Sequence, residues 1–277
     1  MKKHLLVIFL AVLFLTPLSA IAGFTKSYLM AFHTCGTPNS LTDCADPSLH
    51  QTQIAESNDG TNWTAVPGLD TFPTGTSVPD LIRRGSYIYV YTPGHMYKVK
   101  VGNGKILVDS PVTILDDLGN FVNMVDPSPI LDPTTNKIVL FYLVTNPPSA
   151  PGVCIDTTVP CTIHIRAAIE QGTNGTSFRE VPMSGTDILI NPVDTVSQMA
   201  TDPDIFADAS GYKLLVSRGT KVQMFESPTL TGAFTQVSTL TNGLIVDGST
   251  SSLTGVSAGY YTAGTYWIYA HDSQSNS

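Results

Sequence analysis

A strand rich in aromatic and β-branched residues recurs five times in this chain, and this repetition limits the possible folds more than any other feature. The five copies are residues 27–33, 86–91, 137–142, 212–217 and 265–271. Apolar residues alternate or run in short blocks, and Gly, Pro, Asn and Asp separate the blocks, so the pattern favours strands over helices. A unit that repeats every few tens of residues predicts a solenoid, an array or a propeller.

The residues around these strands repeat as well. Three copies follow a proline-containing strand start and a polar turn, at residues 78–82, 126–130 and 202–206. Two copies are followed by a further strand and turn, at residues 53–63 and 166–178. The unit is therefore a small antiparallel sheet, and such sheets arranged radially form a β-propeller with few exposed edges. We predict an all-β, five-bladed β-propeller, with a four-bladed or incomplete propeller as the alternative.

The first 22 residues have the form of a secretory signal peptide. Lys2 and Lys3 precede an apolar run over residues 5–18, and small residues lead up to Ala22. The run is shorter than the roughly 20 residues that span a bilayer, which argues against an uncleaved anchor. Cleavage near Ala22 leaves residues 23–277 as a single propeller domain. We expect it to be secreted, extracellular or periplasmic, with no membrane span in the mature chain.

The charge of the chain argues against two classes of partner. Its 277 residues carry 22 acidic and 14 basic side chains, a formal charge of −8 that becomes −10 when the two lysines of the leader are removed. Such a surface disfavours nucleic acid and anionic lipid, because both are negatively charged. A neutral ligand or a cation fits better.

The four cysteines form two local pairs. Cys35 and Cys44 are nine residues apart, and Cys154 and Cys161 are seven apart, each pair inside a stretch rich in turn-forming residues. In an oxidising compartment this pattern predicts two loop disulfides. A zinc site is the alternative, but neither pair has the C-x-x-C spacing of a familiar metal motif.

Two motifs of the repeated units resemble those of a known family. Asp-Pro followed by an aliphatic pair, a polar turn and a Tyr-rich strand, together with the run Ser-Asn-Asp-Gly-Thr-Asn-Trp at residues 57–63, resembles the five-bladed propellers of glycoside hydrolase families 43, 32, 62 and 130. This is the arabinanase, levansucrase and invertase-like group. The resemblance implies a cleft at the central axis that takes a glycan. It also implies three carboxylates on the innermost strands, acting as general base, pKa modulator and general acid.

Four aspartates are the catalytic candidates. Asp126 and Asp202 match the Asp-Pro positions of the family, and Asp126 best resembles the pKa-modulating acid. Asp80 and Asp204 come two residues after the matching position, on the same strand face because side chains alternate with period two, and they are reserve candidates. The alternative for each is a turn-capping role, in which the carboxylate accepts backbone N–H groups.

The carboxylate set departs from the family in three ways. Val78 stands where one blade would have its aspartate, and the glutamates fall in what we interpret as outer strands or turns: Glu56, Glu170, Glu180 and Glu226. The first aromatic strand also begins only a few residues after the expected cleavage point, so we expect no inner strand before it in the mature chain. Two functions therefore stay open. One is a secreted glycoside hydrolase-like enzyme that acts on a glycan, and the other is a catalytically inactive propeller that binds a glycan or an extracellular or envelope protein.

Three further residues are candidates for substrate binding. His33 and His271 each end an aromatic strand, and the resemblance implies that a histidine can lie near a calcium or other ion in the central channel. Arg83 and Arg84 stand together in a chain poor in cations, and we predict that Arg84 holds an acid or a substrate carboxylate. A structural role is the alternative for each, and we assign no metal ligand and no other cofactor.

Overall fold

The computed structural model of this protein describes residues 23–35, 46–146, 162–181, 188–190, 200–218, 221–240, 245–246, 249–250 and 253–272. The predicted signal peptide, Cys44, Cys154, Cys161 and the side chain of His271 lie outside this description. Cys35 is disulfide-bonded, and its pairing stays a prediction. None of the described ranges contains a helix with the length and apolar character that crossing a membrane requires.

Strands dominate these ranges, with one short 3₁₀ turn at Pro47–Leu49. In chain order the strands are β1 (Tyr28–Thr34), β2 (Gln51–Ser57), β3 (Thr64–Ala65), β4 (Asp80–Arg84), β5 (Tyr87–Thr92), β6 (His95–Lys100), β7 (Ile106–Pro111), β8 (Thr113–Leu115), β9 (Phe121–Val122), β10 (Val125–Leu131), β11 (Ile138–Asn146), β12 (Thr162–Glu170), β13 (Ser177–Val181), β14 (Ile188–Ile190), β15 (Ala200–Asp208), β16 (Gly211–Arg218), β17 (Lys221–Ser227), β18 (Thr235–Leu240), β19 (Ile245–Val246), β20 (Ser249–Thr250), β21 (Leu253–Thr262) and β22 (Thr265–Asp272). The five predicted aromatic strands are present as β1, β5, β11, β16 and β22.

Four sheets of three or more strands form the blades of a propeller. Blade A has the order β1-β2-β3, blade B β4-β5-β6-β7, and blade D β15-β16-β17-β18. Blade C is larger, with the order β10-β11-β12-β13-β8-β9 and β14 beside β12. The hairpin β21-β22 packs against blade D and reaches blade A, and β19 pairs with β20. The predicted all-β propeller is confirmed. It has four blades, as in the alternative prediction.

Consecutive blades pack face to face through side chains that alternate along their strands. In β5, Ile88 and Val90 contact the core shared with blade A, whereas Tyr89 and Tyr91 contact the core shared with blade C. A third core lies between blades C and D, and a fourth, around Phe206, lies between blade D and the hairpin β21-β22. Because both faces of the second strand in blades B, C and D are buried, these strands, β5, β11 and β16, have nearly continuous apolar sequences.

Strand β1 departs from the pattern of the other aromatic strands. β5, β11, β16 and β22 each pair with an inner strand that precedes them, whereas β1 is an end strand of its sheet within the described ranges and faces the axis. The Val78 N–H donates to His33 Nδ1 at 3.3 Å, so the end of β1 lies beside the start of β4. The Tyr28 and Tyr260 rings are 5.3 Å apart, so the start of β1 lies beside the end of β21. β1 therefore runs antiparallel to its neighbours on the axis.

Candidate functional site

The inner strands of blades B, C and D begin with the same unusual backbone conformation. Val78, Asp126 and Asp202, each followed by proline, have φ values of +42°, +45° and +51°. This is the left-handed region, which is least favourable for a β-branched side chain such as valine. In blades C and D the pairing register shifts across this step, as at a β-bulge, which re-aims the side chains that follow. Backbone strain collects at functional sites, so these three residues, the strand-start end of the axis, form a candidate site.

Asp126 and Asp202 are neighbours at the strand-start end. The Asp202 backbone N–H donates to Asp126 Oδ2 at 3.2 Å, and Asp126 is only 9% exposed. Burial, together with the nearby charge of Asp202, raises the pKa of Asp126 to about 7. A carboxyl group with such a pKa can hold a proton near neutral pH beside an ionised partner, which is what general acid chemistry requires.

His33 reaches the strand-start end from β1. Its Nδ1 accepts the Val78 N–H, and its ring stacks on the His50 ring with centroids 4.2 Å apart. The predicted glutamates lie in β2, β12, β13 and β17, none of which is the innermost strand of its blade. The strand-start end thus has two carboxylates, and an apolar side chain, Val78, where a third blade would supply another.

Two residues further along the same strands, a second set of polar side chains connects the inner strands to one another. Ser128 Oγ donates to Asp80 Oδ2 at 2.7 Å and accepts the Ile205 N–H at 3.0 Å. Asp204 Oδ2 accepts the Gly259 N–H at 2.6 Å. These hydrogen bonds link β4 to β10, β10 to β15 and β15 to β21 in sequence around the axis. Asp80 and Asp204 therefore help to hold the ring together.

The acids of this second set are shifted towards their protonated forms. Burial raises the pKa of Asp80 to about 7, although hydrogen bonds from Ser128 and from the Leu81 N–H oppose the shift. Burial, reinforced by the charge of Asp80, raises the pKa of Asp204 well above its ordinary value. Both carboxyl groups can therefore donate hydrogen bonds at mildly acidic pH.

A cavity of about 580 Å³, the axial cavity, opens beside Asp80 and Asp204. Its lining comes from five strands that meet at the axis, as residues 27–31, 80–83, 129–131, 204–207 and 258–260, with further side chains from the blades. These are nearly all of β4, the later parts of β10, β15 and β21 and the early part of β1. The axial cavity therefore lies away from the strand-start end, with Asp80 and Asp204 in its floor.

Aromatic rings form one wall of the axial cavity. Tyr28 and Tyr260 line it together with Trp63 and Tyr269, whose rings meet edge to face with centroids 5.7 Å apart. Trp63 Nε1 and the Tyr269 hydroxyl both donate to the Gly60 carbonyl oxygen, at 3.1 and 2.7 Å. The turn at residues 57–63 thus fixes two of the four rings.

The two adjacent arginines have different surroundings. Arg84 donates to both carboxylate oxygens of Glu170, which is fully buried, and to the Thr173 carbonyl oxygen at 2.7 Å. Its guanidinium also lies 4.6 Å from the centroid of the Tyr89 ring. These contacts tie blade B to blade C, and they account for Arg84 without a ligand. Arg84 thus holds an acid of the protein itself, whereas Arg83 lines the axial cavity, and substrate binding by Arg84 stays a prediction.

The sequence did not show that Tyr28, Trp63 and Tyr260 belong to the aromatic wall. It identified the strand that contains Tyr28 and the turn that contains Trp63, but no sequence pattern showed that both side chains face one cavity. Tyr28 reaches the axis because β1 takes the place of an inner strand, which depends on how the whole ring closes. Of the substrate-binding candidates, His33 lies at the strand-start end, and the role of His271 stays a prediction.

The described residues contain no group of three or more His, Cys, Asp or Glu side chains arranged to hold a metal ion. The four axial aspartates are instead divided into two pairs that receive backbone or hydroxyl donors. A calcium ion in the central channel stays an expectation from the family resemblance.

A scan against protein-family models finds no match for this chain, and a search of curated proteins finds none. Among solved structures, the chain is similar to the GH43_1 enzyme from Xanthomonas citri complexed with xylose, at 14% identity and a TM-score of 0.51, over 80% of this chain and 72% of that one. It is also similar to the exo-1,5-alpha-L-arabinanase from a bovine ruminal metagenomic library, at 12% identity and a TM-score of 0.42, over 88% and 84%. A third is the major Malassezia sympodialis allergen Mala s 1, at 12% identity and a TM-score of 0.44, over 88% and 72%. At these identities the likeness concerns the propeller fold alone.

Proposed function

We propose that this protein is a secreted carbohydrate-binding propeller that holds a glycan in its axial cavity. The observation that carries the proposal is the cavity of about 580 Å³ on the axis, with aromatic rings in its wall and two carboxyl groups in its floor. Its volume lies within the range of roughly 300–1,000 Å³ typical of small-molecule sites. Aromatic rings pack against the apolar faces of sugars, and carboxyl groups form hydrogen bonds with sugar hydroxyls.

The division of the aspartates supports binding over hydrolysis. The resembled hydrolases use three carboxylates at one site, whereas here Asp126 and Asp202 lie at the strand-start end, and Asp80 and Asp204 lie in the floor of the axial cavity. Val78 supplies no acid to the first pair. Neither pair alone provides the set that the family chemistry implies.

The proposal is tested by filling the cavity. Ala207 is exposed and lines the axial cavity, whereas Ala65 is exposed in β3 and does not line it. We expect xylo- and arabino-oligosaccharides to bind the purified protein in isothermal titration calorimetry. We expect Ala207→Trp to weaken binding by about tenfold or more, and Ala65→Trp to leave it unchanged. Equal binding by both variants, or no binding to any oligosaccharide, would overturn the proposal.

Hydrolysis by Asp126 and Asp202 is a second candidate, supported by the raised pKa of Asp126 beside a second acid. It predicts turnover of aryl glycosides or polysaccharides that falls by roughly 10²- to 10⁴-fold in Asp126→Asn. Asp109→Asn, which changes an exposed acid on the outermost strand of blade B, is the matched control and should retain turnover. Absence of turnover in the folded wild-type protein removes this candidate.

Secretion and the two disulfides belong to the same proposal. They are supported by the signal-like first 22 residues and by the bonded state of Cys35. The mass of the exported protein should correspond to cleavage near Ala22. Its thiols should react with an alkylating reagent only after reduction, and alkylation before reduction would contradict the disulfides.

A further inference from the structure

Arg83 is a cation without an acidic partner at the axial cavity. Its side chain is exposed, and its Nε donates to the Gly85 carbonyl oxygen at 3.3 Å. Within the described ranges, the ion pairs involve Arg84, His95, Lys105, Arg166 and Lys213, and none involves Arg83. An arginine that is not engaged by the protein's own carboxylates is available to bind an anion.

The other described residues that line the axial cavity offer no second cation. They are aliphatic or aromatic apart from Ser27, Asp80 and Asp204, so Arg83 is the one positively charged side chain among the described lining residues. The two acids do not cancel that charge at mildly acidic pH, since burial favours their protonated forms. The local charge of the cavity is then positive, although the chain as a whole carries a formal charge of −8.

We propose that the glycan held in the axial cavity is acidic, and that Arg83 binds its carboxylate. The proposal rests on the proposed function, because it assigns a substrate class to the same cavity. Uronic acids meet both requirements of the site, since they combine a sugar ring that packs against the aromatic wall with a carboxylate that arginine binds through two parallel hydrogen bonds. The protonated acids in the floor can donate to hydroxyl groups of the ring.

The negative charge of the whole chain does not oppose this assignment at contact distance. Exposed charges separated by more than about 8 Å are largely screened at physiological ionic strength. A contact between Arg83 and a carboxylate is much closer than that. The overall charge therefore slows the approach of an acidic sugar at low salt more than it weakens the bound state.

The experiment compares sugars that differ only in their charge. The probes are xylotriose carrying a glucuronic acid branch and trigalacturonic acid, each beside its own methyl ester, titrated calorimetrically into the purified protein near pH 6. We expect each acid to bind about tenfold or more tightly than its neutral counterpart, because a hydrogen bond to a charged group is lost in the neutral probe. Arg83→Gln should remove this preference and Arg83→Lys should keep part of it. Arg179→Gln, which removes an exposed arginine of β13, should not change it.

The outcomes separate this inference from the proposed function. Equal binding of acidic and neutral probes, unaffected by Arg83→Gln, overturns the acidic ligand and leaves a neutral glycan in the cavity. A preference for acids that persists in Arg83→Gln overturns the assignment to Arg83. Absence of binding by every probe overturns the proposed function as well. The comparison of acid with methyl ester in the wild-type protein stands even where an Arg83 variant folds poorly.

Discussion

At the strand-start end, Asp126 and Asp202 lie on strained backbone and are joined by one backbone hydrogen bond. At the floor of the axial cavity, Asp80 and Asp204 instead belong to a series of hydrogen bonds that joins four inner strands. The two sites are only two residues apart along the same strands. The strand-start end has the strained Xaa-Pro backbone, and the cavity floor combines ring closure with a ligand-sized space.

A motif that repeats between the blades of this propeller does not carry its chemistry with it. The Xaa-Pro step is the same in three blades, but Val78 takes the place of an acid in one of them. The residue two positions later is Asp80, Ser128 or Asp204, and in each blade it forms a contact with the next. Backbone geometry is therefore repeated more faithfully than the functional side chains.

The largest expected effect is a dependence of stability on pH. Unfolded aspartates titrate near 3.9, whereas the pKa values of Asp80 and Asp126 are raised to about 7, and that of Asp204 is also raised. The folded protein therefore binds more protons than the unfolded chain between about pH 4 and pH 7. The free energy of unfolding should fall as the pH rises through this window, by on the order of 4 kcal/mol for each of Asp80 and Asp126, and then level off.

Urea unfolding at pH 5 and pH 8 measures this effect. Asp80→Asn and Asp126→Asn should each reduce the difference in the free energy of unfolding between pH 5 and pH 8. The relative size of the two reductions shows whether the cavity floor or the strand-start end contributes more. Asp59→Asn is the control, because Asp59 is exposed and hydrogen bonds lower its pKa. Stability that increases from pH 5 to pH 8 in the wild-type protein would refute the assignment of buried protons to the axis.

The next largest effect concerns Ser128, the hydroxyl that joins three inner strands. Ser128→Ala leaves Asp80 without its side-chain donor and the buried Ile205 N–H without its acceptor, at a position of β10 that is itself fully buried. Each unsatisfied group costs about 1–3 kcal/mol, so we expect a loss of about 2–4 kcal/mol in the free energy of unfolding. Ser86→Ala, at an exposed turn, should cost less than about 0.5 kcal/mol. Similar losses in the two variants would show that the floor does not tie the ring.

The sequence predicted those parts of the fold that depend on local patterns. The five aromatic strands and the propeller follow from alternation and repetition, and the Asp-Pro steps marked where inner strands begin. It could not predict that β1 would occupy the axis, because that depends on how the last hairpin meets the first blade. For the same reason Tyr28 and Trp63 were not expected in the cavity wall. The sequence also did not show that Arg84 pairs with Glu170, which lies 86 residues further along the chain, whereas Arg83 lines the cavity.

A smaller effect is expected at Gly259, whose N–H holds Asp204 at the cavity floor. A Cβ atom at this position would lie 2.6 Å from Phe206 Cε1 and 2.7 Å from Leu215 Cδ1, which is closer than packed atoms approach. Gly259→Ala should cost about 1–3 kcal/mol through overpacking. Gly102→Ala, where a Cβ atom meets nothing within 4 Å, is the matched control. Chemical denaturation of both variants measures the effect. If Gly259→Ala leaves the free energy of unfolding unchanged, β21 can move away from blade D.

The smallest expected effect is a gain in stability at the strand-start end. Val78 holds a φ of +42°, a region in which asparagine is several-fold enriched and β-branched residues are rare. Val78→Asn should therefore raise the free energy of unfolding by about 1 kcal/mol, because it relieves backbone strain. Val237→Asn, on an exposed strand residue with ordinary φ, should give no gain. If both variants change the denaturation midpoint equally, Val78 is not strained, and the strand-start end would differ from the cavity floor in its side chains alone.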